Sequence, residues 1–262
     1  MLNNLRFADD IAILSNDLTD IQEMMQELAD ESKKVGLKMN YRKTKVLKTA
    51  EVLDGVVSVN HVEIEQVTDY CYLGQNVSLI EKDSDKEVRK RIGMGWKKFG
   101  EYSTILKSNI PLCLKRQIID QCITPRIIYG CECWTMSTKM EKKLGAAQRN
   151  MERSILGITY KDKKTNIWVR KQIKVKDIIK VVKMRKWTWA GHVSRRTDNR
   201  WTQRLTQWQP RDGKRSRGRQ RKRWRDDLDK YWGHSTWQRV AEERHIWRSH
   251  AEAFVLQWTD HG

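Results

Sequence analysis

Nowhere in this 262-residue chain does an apolar run reach the length needed to span a bilayer, and no signal-peptide pattern opens it at Leu2. No membrane role is expected, and the expected location is intracellular. The five cysteines, Cys71, Cys113, Cys122, Cys131 and Cys133, form an odd set without a CxxC pair, which argues against a disulfide framework and for reduced thiols. Cys131 and Cys133 flank a single residue and have no nearby His, so zinc-finger spacing is absent. The six His are scattered, His192 among them, and read as structural. No Ser/His/Asp grouping, Gly-rich phosphate loop or compact recognition helix is recognisable. Asn76 heads an NVS sequon, which carries no meaning without a secretory signal.

What the chain has in excess is positive charge. Lys and Arg number 52 against 33 Asp and Glu, a net of +19, so the expected partner is a polyanion. The charge is divided unevenly. Residues 1–100 hold 15 basic and 17 acidic side chains, a net of −2, whereas residues 151–262 hold 29 and 12, a net of +17. Ten of the 12 Trp, from Trp168 to Trp258, lie in that second stretch. Basic side chains interleaved with flat aromatics suit contact with a nucleic-acid backbone plus stacking on its bases. A Trp taken singly is more often a packing residue.

The patterns along the chain imply an α+β fold. Leu5 and Phe7, then Ile11 and Ile13, alternate with small or polar neighbours and read as two short strands, with Ala8-Asp9-Asp10 as the tight connection. Asp17 can cap a helix carrying Leu18, Ile21, Met25, Leu28 and Val35 at helical spacing, closed by Gly36. GLKMNYRKTKVL then reads as a short strand and turn. VVSV, an Asn60-His61 turn, VEIEQV and DYCYLG read as further antiparallel strands over 56–78, in one layer with the first pair. From Asp83 the pattern is helical. One helix is expected to about Lys107, a second from Pro111 to Pro125, and a third announced by a capping box of Thr138 and Glu141, with Met140, Leu144, Ala147 and Met151 on one face and Gly157 after its end. Sheet gives way to helices near residue 80.

Two stretches carry chemistry. Asp9 and Asp10 set two carboxylates side by side at a strand turn. Asp is a common turn residue that bonds its own backbone. Two like charges crowded together also repel unless a divalent cation neutralises them, and hard oxygen ligands suit Mg²⁺. The second stretch, residues 211–232, reads RDGKRSRGRQRKRWRDDLDKYW. Its Lys214, Arg215, Arg217, Arg219, Arg221, Lys222 and Arg223 form either a solvated basic linker or an arm that tracks phosphates, and the surplus charge favours the arm. An acidic, Trp-bearing helix-like segment follows.

In order, FADD, an amphipathic helix, GLKMNYRKTK and YCYLG resemble the back half of a reverse transcriptase palm. The downstream LKRQIIDQCITPRIIYGCECWT, WAGHVSRR, GKRSRGRQRKRWRDDL and RHIWRSHAEA resemble the polymerases of non-LTR retrotransposons, the LINE type and its RTE/BovB-like clade in particular. FADD alone is a weak motif; together, in this order, the pieces are specific, and they cover nearly the whole chain. The resemblance implies a partial palm over 1–80, a helical thumb over 81–158 and a basic, Trp-rich nucleic-acid-binding region over 159–262.

By the same resemblance the activity is RNA-directed DNA synthesis, in which two Mg²⁺ about 4 Å apart act on the primer hydroxyl and the leaving pyrophosphate. Asp9 is then the metal ligand, Asp10 supports it, and Phe7 packs beside the site. Lys43 is placed to assist pyrophosphate departure, although Arg42, Lys43 and Lys45 also read as an ordinary basic turn. Tyr72, Leu73 and Gly74 form the primer grip. RNA and DNA are the implied partners, nuclear DNA the implied place of action, and the basic run near 214–225 a candidate import signal. A complete palm of this family supplies another aspartate from an earlier strand, which would precede residue 1, as would the fingers and an endonuclease. The expectation is therefore a truncated element that does not polymerise alone, with a second chain supplying the missing palm half as a candidate partner. A non-enzymatic RNA/DNA-binding protein of retrotransposon origin is the alternative.

Overall fold

The computed structural model describes residues 3–49, 55–79, 84–198, 200–208, 218, 222–233 and 236–256. The chain divides into two compact units, Met1–Asp83 and Ser84–Gly262. The architecture is α+β, as the sequence pattern implies.

The first unit opens with an antiparallel hairpin of β1 (Asn4–Phe7) and β2 (Asp10–Ile13). Helix α1 (Leu18–Lys34) follows, capped by Asp17, whose carboxylate accepts the Thr19 N–H at 2.8 Å. Its Met25 and Ala29 are buried, together with Val57, Val59 and Ile64, and Ile13, Tyr41 and Val46 pack around them. Val35, expected on the apolar face, lies beyond the helix end and is exposed. Two further hairpins follow: β3 (Ser58–Val59) with β4 (Val62–Glu63), and β5 (Asp69–Tyr72) with β6 (Gln75–Ser78).

Two expectations are corrected here. The hairpins form three separate two-stranded ladders among the described residues instead of one layer. GLKMNYRKTKVL forms no strand; it is a turn held by Asn40, which accepts the Lys43 and Thr44 N–H groups, plus a single parallel bridge from Val46 to Gln66. The physical reason is that its polar residues outnumber the apolar positions a paired strand would bury.

The second unit is helical. Helix α2 (Ser84–Glu101) and α3 (Ser103–Lys107) replace the single helix expected, bending at Tyr102. Helix α4 (Leu112–Ile118) runs through a π turn at Ile119–Ile123 into α5 (Thr124–Ile127). The helical path thus continues past Pro125. Proline lacks an N–H and its ring crowds the carbonyl four residues earlier; the wider π register, with the Thr124 N–H on the Ile119 carbonyl, relieves that crowding. Helix α6 (Thr138–Leu156) is capped one residue earlier than expected: Ser137, not Thr138, accepts the Met140 N–H. Met140, Leu144, Ala147 and Met151 are all buried, and Gly157 ends the helix.

Helices α7 (Asn166–Ile173) and α8 (Ile178–Ser194) follow. One core gathers Val88, Phe99, Leu106, Ile123, Leu144 and Met151 and runs on through Ile173, Ile178 and Val182, so the packing does not break at residue 158. The second half of α8 turns to another cluster, built with α10 (Asp226–Trp232), α11 (Trp237–Glu242), α12 (Arg244–Ser249) and α13 (Ala251–Leu256) once α9 (Trp201–Gln207) has passed. Trp187, Ala190, Leu228, Trp237, Trp247 and Phe254 form its centre. Among the described residues no helix is long and apolar enough to cross a membrane.

Candidate functional site

The acidic hairpin is built on a two-residue turn. Phe7 pairs with Asp10, leaving Ala8 and Asp9 as the connection, and Ala8 takes φ 51°, a left-handed conformation that an L residue adopts at some cost. Asp9 therefore sits in the turn and Asp10 heads β2, with both carboxylates exposed to solvent. Cross-strand partners share a face, so Phe7 and Asp10 project together. Phe7 is 63% exposed, which corrects the expectation that it packs beside the site. The base of the hairpin is fixed through Ile13, which packs on the α1 core.

Lys43 ends the Tyr41–Lys43 turn with an exposed side chain. Its N–H is received by both the backbone and side-chain oxygens of Asn40, and its carbonyl accepts the Tyr70 hydroxyl at 3.5 Å. That bond ties the Lys43 turn to the β5–β6 hairpin. Its neighbour Lys45 pairs with Glu65. Tyr72 ends β5, and Leu73 and Gly74 are the two turn residues, with φ 48° and 77°. Both positive angles match the type I′ turn whose twist suits a hairpin, and glycine takes the second without strain.

In the second unit, Lys214, Arg215, Arg217, Arg219 and Arg221 lie outside the described residues. Lys222 and Arg223 are described, and Lys222 differs from a free phosphate ligand. Its ammonium donates to the Met136 carbonyl at 2.7 Å and pairs with Asp227. Asp227 also receives the buried Lys186 ammonium at 2.8 Å, and the Trp224 indole N–H reaches the Glu132 carbonyl at 2.7 Å. Burial works to raise the Asp227 carboxyl, but the two ammonium groups outweigh it and hold it below the usual range. The end of the basic run is thus clamped onto the helical unit. Lys186 and Asp227 were not legible as partners, since 41 residues separate them; the only hint is a lysine on the apolar side of α8.

Residues 1–77 match the family model for reverse transcriptase (RNA-dependent DNA polymerase). The chain is also similar to an uncharacterized transposon-derived protein of Caenorhabditis elegans, 33% identical over 238 residues that cover 87% of this chain and 85% of the relative. This chain belongs to a transposon-derived protein family with a reverse transcriptase segment. No solved structure matches it. For the transposon-derived chain, a family-implied divalent metal is tested by the oxygens on hand. Asp9 and Asp10 are adjacent and belong to a turn and a strand, and no group of three or more His, Cys, Asp or Glu that could hold a metal occurs among the described residues. Two exposed carboxylates do not fill the six-oxygen shell of Mg²⁺, so the described residues do not by themselves fit a two-ion site.

Proposed function

We propose that this chain carries the catalytic-turn portion of the palm, the thumb and the basic C-terminal region of a non-LTR, RTE/BovB-like retrotransposon reverse transcriptase. We assign these to residues 1–80, 81–158 and 159–262. The observation that carries the reading is an exposed Asp9-Asp10 hairpin turn inside the stretch that matches the reverse transcriptase model. In the intact enzyme Asp9 is the ligand for Mg²⁺, Asp10 supports it, Lys43 assists pyrophosphate departure, and Tyr72, Leu73 and Gly74 support the primer end. RNA and DNA are the partners, with a second chain supplying the rest of the palm as a further one.

These 262 residues alone bind nucleic acid without extending a primer. What supports this is the incomplete ligand set at the Asp9-Asp10 turn, set against a net charge of +17 over residues 151–262. The test is primer extension by the purified chain on a homopolymer RNA with a DNA primer and Mg²⁺, beside an Asp9→Ala/Asp10→Ala variant, with template binding followed by fluorescence anisotropy. Binding without extension is expected. Extension that vanishes in the variant would overturn the inactivity, and absence of binding would overturn the reading as a whole. Nuclear accumulation is proposed from the basic run near 214–225, and a fluorescent fusion with that run neutralised should lose it.

A further inference from the structure

The tryptophans of the second unit range from buried to exposed. Trp187, Trp237 and Trp247 are at most 2% exposed, whereas Trp201 and Trp208 are 42% and 64% exposed. Trp201 opens α9, and Leu205 and Trp208 stand four and seven residues on, which places all three on one stripe of the helix surface. Seven residues advance about 10.5 Å along a helix, the rise of about three stacked nucleotides of one strand. The Arg204 guanidinium lies 5.3 Å from the Trp201 ring centroid.

Six residues before Trp201, the end of α8 carries the first of a group of arginines. Arg195, at the end of α8, donates to the Ala241 carbonyl at 2.7 Å. Burial, then the charges of Arg244 and Arg248 on α12, depress its pKa. Both Arg244 and Arg248 are exposed, and neither has an ion pair among the described residues. Like charges held together without an acid partner are an anion site in waiting, and a polyanion with flat, unstacked bases satisfies both features at once.

We infer that Trp201 and Trp208 form a stacking platform for unpaired bases of single-stranded RNA or DNA, with Arg244 and Arg248 holding the phosphates of the same strand. This rests on the nucleic-acid reading above and deepens it, assigning single strands to the α9 surface. Base stacking on tryptophan tolerates any sequence, so the site has no sequence preference. A duplex, whose bases are already stacked, gains nothing from the indoles and binds by charge alone.

The experiment compares a labelled single-stranded 12-mer with the matching duplex by fluorescence anisotropy over a salt series, using the full chain. A Trp201→Ala/Trp208→Ala variant with an unchanged far-UV spectrum should lose about tenfold or more in single-strand affinity and leave duplex affinity unaltered. An Arg244→Gln/Arg248→Gln variant should weaken both and flatten the salt slope by up to about two. Wild-type binding that both variants leave untouched would sink this inference while the function proposed above stands; no wild-type binding would sink both. Equal losses on duplex and single strand, or loss of self-association instead of single-strand affinity, would likewise overturn the stacking role.

Discussion

Trp187 and Trp247 hold each other by two hydrogen bonds: each indole N–H donates to the other's backbone carbonyl at 3.0 Å. Their rings stack with centroids 3.7 Å apart and planes 9° from parallel. The pair joins α8 to α12 and explains the glycine of WAGHVSRR, because Gly191 is where the Trp247 indole comes close. A Cβ built on Gly191 would lie 2.5 Å from Trp247 Nε1. Overpacking of this kind costs about 1–3 kcal/mol, and the two hydrogen bonds are at stake as well. Gly191→Ala should therefore lower the thermal midpoint by several degrees, whereas Gly145→Ala, where nothing lies within 4 Å of the added methyl, should not. Equal midpoints for the two variants would remove the clasp from the account of stability.

The clamp on Asp227 yields a second expectation. Lys186 is 2% exposed and its pKa is lowered, first by burial, with Asp227 as its principal counter-charge. Removing the carboxylate strands a buried ammonium, which is typically worth about 3–5 kcal/mol. Asp227→Asn should be strongly destabilising in urea titrations. Lys186→Met in the Asp227→Asn background should recover much of that loss, since it removes the orphaned charge. No recovery in the double variant would show that the pair matters for shape and not for charge balance.

Local pattern accounts for much of the fold and long-range chemistry for what was misread. The Asp17 cap, the α6 face of Met140, Leu144, Ala147 and Met151, and the hairpin turns follow from successive positions no more than four residues apart. The ladders stayed separate because strand pairing between distant segments leaves no local mark. The π turn before Pro125 is a compromise between a helix breaker and a core that needs Ile119, Ile123 and Ile127 on its side. At the site, Asp9 and Asp10 were legible because two acids in a tight turn are locally odd. In the sequence Lys222 is one more member of a basic run, and only the fold reveals Asp227 and the Met136 carbonyl beneath it.

The hairpin turns can be tested as backbone problems. Ala8 at φ 51° and Gly74 at φ 77° call for opposite substitutions. Ala8→Gly relieves a left-handed conformation and should stabilise the β1–β2 hairpin by up to about 1 kcal/mol, while Gly74→Ala imposes one and should cost about 1–2 kcal/mol. Amide hydrogen exchange at Leu5, Ala12, Tyr70 and Val77, which sit at hydrogen-bonded positions of the two ladders, would read each hairpin separately. Faster exchange at Leu5 and Ala12 in Ala8→Gly would contradict the assigned turn.

Glu152 sets a pH dependence that can be signed in advance. It is 1% exposed on α6, and although Arg149 Nη1 comes within 2.7 Å, neither carboxylate oxygen receives an aligned hydrogen bond among the described residues. Burial is the main cause that pushes its carboxyl up from 4.5 to about 7, against the opposing pull of Arg149 and Arg170. A raised folded-state value means the native protein binds the extra proton between those limits. The contribution is fully present below about pH 4.5, falls as pH rises and is gone above about pH 7; the shift corresponds to about 3 kcal/mol. Asp227, held low by Lys186 and Lys222, contributes in the opposite sense, but only where pH falls below the ordinary carboxylate range near 4. Between pH 5 and 7 the downward slope should thus belong chiefly to Glu152, with Asp120, whose carboxyl burial also raises, adding in the same sense. In Glu152→Gln, which keeps the shape and cannot ionise, urea-derived stability should lose most of that slope across the window and exceed wild type at pH 7.5. An unchanged slope would place the titrating group elsewhere.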